Sequence, residues 1–227
     1  MAAKGFFITG TDTEVGKTVI ATALVRGFVA QGLRVAVMKP IASGSHRTSE
    51  GLRNEDALAL MQVSNVAAPY DRVNPYCFEP AISPHIAAND AGIGVKMSHI
   101  RANFDTLKAQ SDVVIVEGAG GWLAPFGPTT SMNGLARALD LPAILVVGVR
   151  LGCINHALLT KLAIDSQGTR FAGWIANTVD PDMPRRKENL ETLAYRLGVQ
   201  PLADVPRRAI DSSPLVLSGA ASHLLRT

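Results

Sequence analysis

A glycine, a lysine and a threonine stand together where a short apolar run gives way to a longer one, in the stretch FFITGTDTEVGKTVIATALV near the N-terminus. Gly16, Lys17 and Thr18 have the residue types that suit a phosphate group. A helix N-terminus offers free N–H groups and partial positive charge, lysine adds a full charge, and a hydroxyl can ligate Mg²⁺. The triplet predicts a phosphate loop that binds a nucleotide. The loop is a variant, because Thr11 replaces the usual first glycine and Gly10 lies one position earlier.

A second lysine, Lys39, directly follows the apolar run VAVM. A lysine in that position can simply extend its ammonium into solvent, and this is the alternative interpretation. Ser43 adds a hydroxyl four residues later. If Lys17 and Lys39 converge from two strand ends, they would stabilise the negative charge that develops during phosphoryl transfer. We therefore interpret Lys39 and Lys17 as candidate catalytic cations.

Three oxygen-bearing side chains form a candidate Mg²⁺ site. Glu117 ends the apolar run VVIV, where phosphate-loop proteins commonly keep a Mg²⁺-binding acid, although usually an aspartate. Asp56 stands near the start of a predicted helix, where the helix dipole alone would also favour a carboxylate. Together with Thr18 they supply the hard oxygen ligands that Mg²⁺ prefers beside phosphate. A solvated acid at the strand end is the alternative for Glu117.

Two asparagines are candidates for contacts beyond the phosphates. Asn177 follows the apolar run FAGWIA, and its amide offers both a donor and an acceptor, as reading an adenine edge requires. A plain turn residue is the alternative. Asn155 stands at the start of a predicted helix, where N–H groups could bind a carboxylate, and an N-cap is its simpler role. Neither the histidines nor Cys77 and Cys153 have the spacing of a zinc site.

The overall composition favours a folded protein that acts on small anions. Of the 227 residues, 47% are hydrophobic and 18% charged, which allows a substantial core and argues against disorder. The net charge of +3 comes without a basic tract, so nucleic acid is not an expected partner. The N-terminus lacks a signal-peptide core, and no apolar run is long enough to cross a membrane. We expect a cytoplasmic protein.

Apolar runs alternate with helical patterns along the whole chain. Strands are predicted over residues 6–9, 35–38, 113–116, 143–149, 171–176 and 200–205. Helices are predicted over residues 17–31, from about 54, and over 96–110, 131–140, 154–167 and 185–197. Residues 43–51 and 69–84 are predicted to be irregular. This order predicts an α/β fold: a single domain over residues 1–227 with a doubly wound, mostly parallel sheet, helices on both faces, and ligands at the carboxyl ends of the strands.

Five motifs taken together, GTDTEVGKT, KPIASG, EGAGG, LGCINHALLT and GWIAN, resemble the dethiobiotin synthetase family. The resemblance runs from Gly10 to about Pro206. It implies a phosphate-loop α/β fold and a homodimer whose active site lies near the subunit interface. It also implies a reaction in which 7,8-diaminopelargonic acid, CO₂ and ATP give dethiobiotin, ADP and phosphate, with Mg²⁺ as cofactor. The route passes through a carbamate and a carbamic–phosphoric anhydride before a cyclic urea forms.

The resemblance further implies roles for individual residues. Lys39 matches the active-site lysine that contacts the carbamate and the γ-phosphate, and Ser43 matches a substrate contact. Asn155 matches the helix start that receives the substrate carboxylate from the partner subunit. The Mg²⁺ positions match Thr18, Asp56 and Glu117. The ATP-binding positions match Glu14, Val15, Gly16, Lys17, Thr18, Val19, Asp56, Glu117, Gly118, Ala119, Gly120, Asn177, Thr178, Pro206, Arg207 and Arg208.

Two other functions of phosphate-loop proteins are considered. A partitioning-type ATPase switch resembles K-G-G-x-G-K-T in its loop, whereas here Asp12 stands in place of the extra lysine and Thr13 and Glu14 in place of the following glycines. The chain also lacks the basic amphipathic terminal helix of the membrane-sensing members. An amide-forming ligase acting on a cobalamin precursor would normally carry a glutaminase domain, for which 227 residues leave no room. The preference for ATP over CTP or GTP stays open.

Overall fold

The computed structural model describes residues 3–207 and 214–226, so Arg208 lies outside the described residues. In chain order, the strands are β1 (Lys4–Gly10), β2 (Val35–Met38), β3 (Ile41–Ala42), β4 (His46–Thr48), β5 (Gly51–Arg53), β6 (Tyr76–Cys77), β7 (Val113–Gly121), β8 (Ala143–Val149), β9 (Phe171–Thr178) and β10 (Ala203–Val205). The helices are α1 (Lys17–Val29), α2 (Glu55–Val63), α3 (Tyr70–Val73), α4 (Pro84–Asp90), α5 (Met97–Ala109), α6 (Met132–Ala138), α7 (Cys153–Ser166), α8 (Arg186–Leu197) and α9 (Ser218–Arg226).

Six strands form one sheet in the order β10-β9-β8-β1-β7-β2, and every neighbouring pair in it is parallel. Because parallel neighbours need crossover connections, helices cover the sheet on both sides. In β1, Phe6 packs in a core with residues of α1 and α9, whereas Phe7 packs in a second core with residues of α5 and α6. The predicted doubly wound α/β fold is confirmed.

The order of the strands brings the candidate site together at one edge of the sheet. β1 lies between β7 and β8, and β2 lies on the other side of β7. Ile8 pairs with Glu117, and Met38 pairs with Val116. The phosphate loop after β1, Lys39 after β2 and Glu117 in β7 therefore emerge side by side, as expected for the carboxyl ends of parallel strands.

Several local predictions were wrong in extent. Residues 43–51, predicted as loop, contain β4 and the first residue of β5, which pair antiparallel in a short hairpin. Residues 69–84, predicted as irregular, contain α3 and β6, and β6 pairs in parallel with β3. Strand β7 continues to Gly121 and β9 to Thr178, so Glu117 and Asn177 lie within strands. Elements of two to four residues are too short to show a hydrophobic period, and neighbouring strands extend the ladder through polar and glycine positions.

Within residues 3–207 and 214–226, no helix combines the length and the apolar character that crossing a membrane requires.

Candidate active site

The phosphate loop joins β1 to α1 and is held in place by an amide from β9. Gly16 is the N-cap of α1 and has a φ of 86°, a conformation that glycine adopts readily. A Cβ atom at Gly16 would lie 2.2 Å from Nδ2 of Asn177. That same Nδ2 donates a 2.8 Å hydrogen bond to the carbonyl oxygen of Val15. Only glycine therefore fits between the loop and Asn177, which is a buried strand residue and not a turn residue.

Lys17 begins α1 and is 8% exposed. Its Nζ donates a 3.0 Å hydrogen bond to the carbonyl oxygen of Asp12, so the lysine bends back over its own loop. Burial, and next the positive charge of Lys39, lower the pKa of Lys17 to about 8. An anion beside this ammonium would favour the charged form and reverse part of that shift. The position and the lowered pKa of Lys17 are those expected of a lysine that binds a phosphate group.

Lys39 is 3% exposed, so the alternative of a solvent-extended lysine is wrong. Its Nζ lies 2.6 Å from Oε1 of Glu117, 2.8 Å from Oδ2 of Asp56 and 3.4 Å from the carbonyl oxygen of Gly118. Burial by itself would lower the pKa of Lys39, but the charges of Glu117 and Asp56 outweigh it and raise the pKa. The same contact lowers the pKa of Asp56 against the effect of its burial. Lys39 is therefore a fixed cation.

The three predicted Mg²⁺ ligands converge in the structure. Thr18 Oγ1 donates a 2.9 Å hydrogen bond to Oε1 of Glu117, the oxygen that also contacts Lys39, and Lys39 in turn contacts Asp56. Glu117 is fully buried, and its Oε2 has no hydrogen-bond partner among the residues that the structure describes. A buried carboxylate oxygen normally requires a partner. One hydroxyl and two carboxylates are a donor set that fits Mg²⁺.

These groups line a pocket of about 360 Å³ at the carboxyl edge of the sheet. Most of the predicted phosphate-loop, lysine and Mg²⁺ residues contribute to it, together with Ser43. Its lining consists of Thr13, Glu14, Gly16, Lys17, Thr18, Val19, Lys39, Ala42, Ser43, Asn54, Asp56, Glu117, Ala119 and Gly120. Val15 and Gly118 lie behind this lining, Val15 as the carbonyl partner of Asn177 and Gly118 as that of Lys39.

Sequence reasoning missed Asn54, which both lines the pocket and positions Asp56. Asn54 is the N-cap of α2, and its Oδ1 accepts a 3.3 Å hydrogen bond from the backbone N–H of Ala57. It also donates to the carbonyl oxygen of Ser43 at 3.4 Å. The available signal was local: an asparagine immediately before two acidic residues is typical of a helix start.

The predicted adenine-side residues lie beyond this pocket. Thr178 ends β9, and its Oγ1 accepts hydrogen bonds of 3.0 and 2.9 Å from Arg186, which also pairs with Asp204 of β10. Pro206 and Arg207 follow β10 and are exposed. Sequence reasoning missed Arg186, because no local pattern predicts that a helix arginine will join two strand ends.

Asn155 lies in the first turn of α7, is exposed, and does not line the pocket. The turn before α7 nevertheless contacts the phosphate loop. Arg150 Nη2 lies 2.8 Å from Oδ2 of Asp12, whose carbonyl oxygen accepts from Lys17. The phosphate loop, whose Asp12 carbonyl accepts from Lys17, is thus connected through Arg150 to the turn before α7, the helix that contains Asn155.

Curated relatives match nearly the whole chain. A family model described as an AAA domain matches residues 4–213. The ATP-dependent dethiobiotin synthetase BioD of Pseudomonas paraeruginosa is 50% identical over 220 residues, which cover 96% of this chain and 95% of the relative. The protein of the same name from Xanthomonas oryzae pv. oryzae is 48% identical over 208 residues, covering 92% and 93%.

Solved structures with the same fold include a cell division protein complex and an ATPase. The MinC:MinD cell division protein complex of Aquifex aeolicus matches with a TM-score of 0.64 at 17% identity, covering 99% of this chain and 97% of that one. A ParA family ATPase from Chlorobium tepidum matches with a TM-score of 0.60 at 10% identity, covering 98% and 99%. At such identities the likeness concerns the fold alone.

Proposed function

The chain belongs to the ATP-dependent dethiobiotin synthetases and is an ATP-using ligase of biotin biosynthesis, and from this premise we propose its substrates, its steps and its site residues. The proposed reaction joins CO₂ to 7,8-diaminopelargonic acid and closes a cyclic urea, with ATP converted to ADP and phosphate. The observation that supports it most is the pair of lysines in one pocket. Lys39 is fixed by Glu117 and Asp56, and Lys17 lies close enough for the charge of Lys39 to lower its pKa.

The proposed reaction has three steps. One amine of the substrate attacks CO₂, a C–N bond forms, and a proton leaves to give a carbamate anion. A carbamate oxygen then attacks the γ-phosphorus, and the bond from that phosphorus to the departing ADP breaks. The second amine attacks the carbamate carbon and loses a proton, phosphate leaves with the C–O bond electrons, and the ring is closed. Every reacting group except the amines carries or develops negative charge.

Within this scheme the residues of the pocket act by position and charge. Lys17 would bind the terminal phosphates at the start of α1, where the helix dipole adds to its charge. Lys39 would hold the carbamate oxygen near the γ-phosphate, and Ser43, which lines the same pocket, would contact the substrate. Holding two anions in reacting geometry and stabilising the charge between them are two of the largest contributions that an enzyme can make.

Thr18, Asp56 and Glu117 are the proposed ligands of Mg²⁺, because their oxygens converge and one carboxylate oxygen of Glu117 has no partner among the described residues. When bound, the ion would neutralise phosphate charge. Asn177 and Thr178 in β9 and the residues from Pro206 to Arg208 are proposed to lie on the adenine side. Asn177 already fixes the loop main chain through the carbonyl of Val15.

We further propose a homodimer formed through α7. Asn155, Leu159 and Leu162 follow one another at helical spacing and share one face of that helix. Leu159 and Leu162 are 58% and 66% exposed, and Leu151 just before the helix is 88% exposed. Such an apolar surface favours association with another protein surface. A partner seated there would bring its own Asn155 towards the shared site, as expected for a residue that receives the substrate carboxylate.

The decisive experiment measures phosphate release with and without the diamine and CO₂, and identifies the product by mass. Phosphate release that needs both reactants, with a product that gains one carbon from ¹³C-labelled bicarbonate, is the expected result. The same assay with CTP and GTP measures the nucleotide preference. Phosphate release that is indifferent to the diamine would instead favour a switch ATPase and contradict the proposal.

A further inference from the structure

The side chain of Asn74 lies directly behind Lys39, between α3 and β6. Asn74 is 2% exposed, and its Nδ2 lies 2.6 Å from the carbonyl oxygen of Lys39 and 3.3 Å from that of Tyr76. Its Oδ1 lies 2.9 Å from the hydroxyl of Tyr70, and that hydroxyl lies 2.7 Å from the backbone nitrogen of Asn54. Two side chains thus join the main chain of Lys39 to the N-cap of α2.

Each hydrogen bond in this connection has one possible direction. Carbonyl oxygens only accept, so the Asn74 atom that faces two of them is the amide nitrogen, and the amide oxygen faces Tyr70. The Tyr70 hydroxyl therefore donates to Asn74 and accepts from the N–H of Asn54. Burial, and next the contact with Cys77, raise the pKa of Tyr70, so the hydroxyl keeps its proton at the pH of any ordinary assay.

The connection closes into a ring through the side chain of Lys39. Asp56 follows Asn54 by two residues, and its Oδ2 lies 2.8 Å from the Lys39 ammonium. From the Lys39 carbonyl, the ring runs through Asn74, Tyr70, the start of α2 and Asp56 back to the Lys39 Nζ. The main-chain carbonyl and the side-chain ammonium of Lys39 are therefore both connected to the start of α2.

We propose that Asn74 and Tyr70 are positioning residues that set the place of the Lys39 ammonium relative to Asp56. This inference rests on the proposed function, since it assigns them to the ligase reaction, and neither residue touches a reactant. A lysine has four rotatable side-chain bonds, and its contribution to catalysis depends on how narrowly its ammonium is confined. The guanidinium carbon of Arg53 lies over the Tyr70 ring, 4.2 Å from its centre, and this contact helps to fix the ring.

A second asparagine, which also bonds the main chain beside β2, provides a control. Asn65 Oδ1 accepts a 2.7 Å hydrogen bond from the backbone N–H of Val35, and its Nδ2 donates at 2.9 Å to the carbonyl oxygen of Leu33. Asn65 thus bonds the main chain at the entry to β2, whereas Asn74 bonds the main chain just past its exit. Each amide makes two hydrogen bonds to the backbone, but Asn65 is exposed, Asn74 is buried, and Asn74 is the one that bonds Lys39.

The test compares Asn74→Asp, Tyr70→Phe and Asn65→Asp in steady-state kinetics, with thermal unfolding to verify that each variant folds. Asn74→Asp keeps the shape but turns an oxygen towards two carbonyl oxygens. We expect its kcat to fall about 100-fold, as for a misplaced reacting group. Tyr70→Phe leaves two polar groups without a partner, and its kcat should fall about tenfold.

The KM for ATP should stay within about twofold in both variants, because the phosphate loop is untouched. Asn65→Asp should lower the melting temperature and leave kcat unchanged.

Crystal structures of the Asn74→Asp and Tyr70→Phe variants provide a measurement that does not depend on turnover. We expect the distance from the Lys39 Nζ to Asp56 to exceed about 3.5 Å, the limit of a hydrogen bond. Unchanged kcat in the folded variants overturns the inference, and so does an equal loss of kcat in Asn65→Asp. If the wild type makes no product from the diamine, CO₂ and ATP, the proposed function has failed. The positioning role is then decided by the crystal structures, and an unchanged Lys39–Asp56 contact in both variants overturns it.

Discussion

The Lys39 ammonium lies 2.6 Å from Oε1 of Glu117, and the two side chains are 4% and 0% exposed. A buried ion pair often stabilises a protein no more than apolar residues of the same volume would, because both charges lose their hydration. Removal of one partner, in contrast, is strongly destabilising. A role in holding a fixed positive charge at the site therefore explains the Lys39–Glu117 pair better than a contribution to stability does.

Replacement of this lysine separates catalysis from binding. Lys39→Ala should abolish turnover, because among the described residues Lys39 is the pocket cation in direct contact with both Asp56 and Glu117. Nucleotide should still bind, since Lys17 and the start of α1 are unchanged. Phosphate release and equilibrium binding of a fluorescent ATP analogue measure the two effects. Lys187→Ala, at a side chain that is 87% exposed, is the control. Near-normal product formation by Lys39→Ala would remove Lys39 from the mechanism.

The same pair makes a prediction about stability. Lys39→Met leaves the Glu117 carboxylate buried without its cation and should lower the free energy of unfolding by about 3–5 kcal/mol. The double variant with Glu117→Gln should recover more than half of that loss, because the buried charge is gone. Urea unfolding of the two single variants and the double variant gives the coupling energy. Arg47→Met, which breaks an exposed pair, should cost less than about 1 kcal/mol. Additive single effects would contradict the coupling.

A structure with Mg²⁺ and ATP tests the metal ligands. We expect Thr18, Asp56 and Glu117 to surround the ion, because their oxygens already converge. Asp56→Asn should raise the Mg²⁺ concentration needed for half-maximal activity, because one ligand loses its charge. Asp71→Asn, outside the pocket, serves as the control. An ion held by other side chains would refute the assignment.

A mixing experiment tests the shared site. Lys39→Ala and Asn155→Ala proteins should each be inactive or impaired, and a mixture that exchanges subunits should recover activity. Random exchange makes half of the dimers mixed, and each mixed dimer contains one intact site of two, so about a quarter of wild-type activity is expected. Subunit exchange is verified by differently tagged chains in sedimentation. Absence of recovery after verified exchange argues for a site within one subunit.

The lowered pKa of Lys17 makes a prediction about pH. With the pKa at about 8 instead of 10.5, the folded protein loses this proton at lower pH than the unfolded chain does. The burial cost is therefore fully present below pH 8 and is relieved as the pH rises towards 10.5. In buffer without metal or nucleotide, Lys17→Met should raise the free energy of unfolding at pH 7 by up to about 3 kcal/mol. The charged groups that set this pKa are Lys39, Glu117, Asp56 and Asp12.

Urea unfolding at pH 7 and pH 10 measures this effect. The advantage of Lys17→Met should shrink to less than about 1 kcal/mol at pH 10, where folded wild-type Lys17 is already neutral. Lys187→Met, at an exposed position, should show no such dependence. An advantage that is equal at both pH values would mean that Lys17 keeps its proton in the folded protein.

The main features of the site could be predicted because they follow from local patterns. Gly16, Lys17 and Thr18 stand in a motif of fixed spacing, and Lys39 and Glu117 follow continuous apolar runs that form buried strands. Parallel strands bring their carboxyl ends to one edge, so residues far apart in sequence could be placed together. Asp56 could be predicted as a site residue only as part of a group with Thr18 and Glu117. In the structure these three side chains lie close together around the Lys39 ammonium.

The supporting residues could not be predicted, because their roles depend on contacts that no local sequence pattern indicates. Asn74 lies in a proline-rich stretch without periodicity, and the carbonyl that it bonds is 35 residues away. Tyr70 acts through the backbone nitrogen of Asn54. Arg186 joins the ends of β9 and β10 from a helix. The partners of these bonds lie 8 to 35 residues apart in the chain, and no periodic pattern connects them.

Lys17 and Lys39 bring two positive charges to the pocket, Asp56 and Glu117 bring two negative ones, and the exposed Glu14 brings a third. The charges of the two lysines, Asp56 and Glu117 cancel, so the polypeptide acts as its own counter-ion around Lys39. The cleft can therefore reach its final shape during folding without borrowing an ion or a reactant from solution.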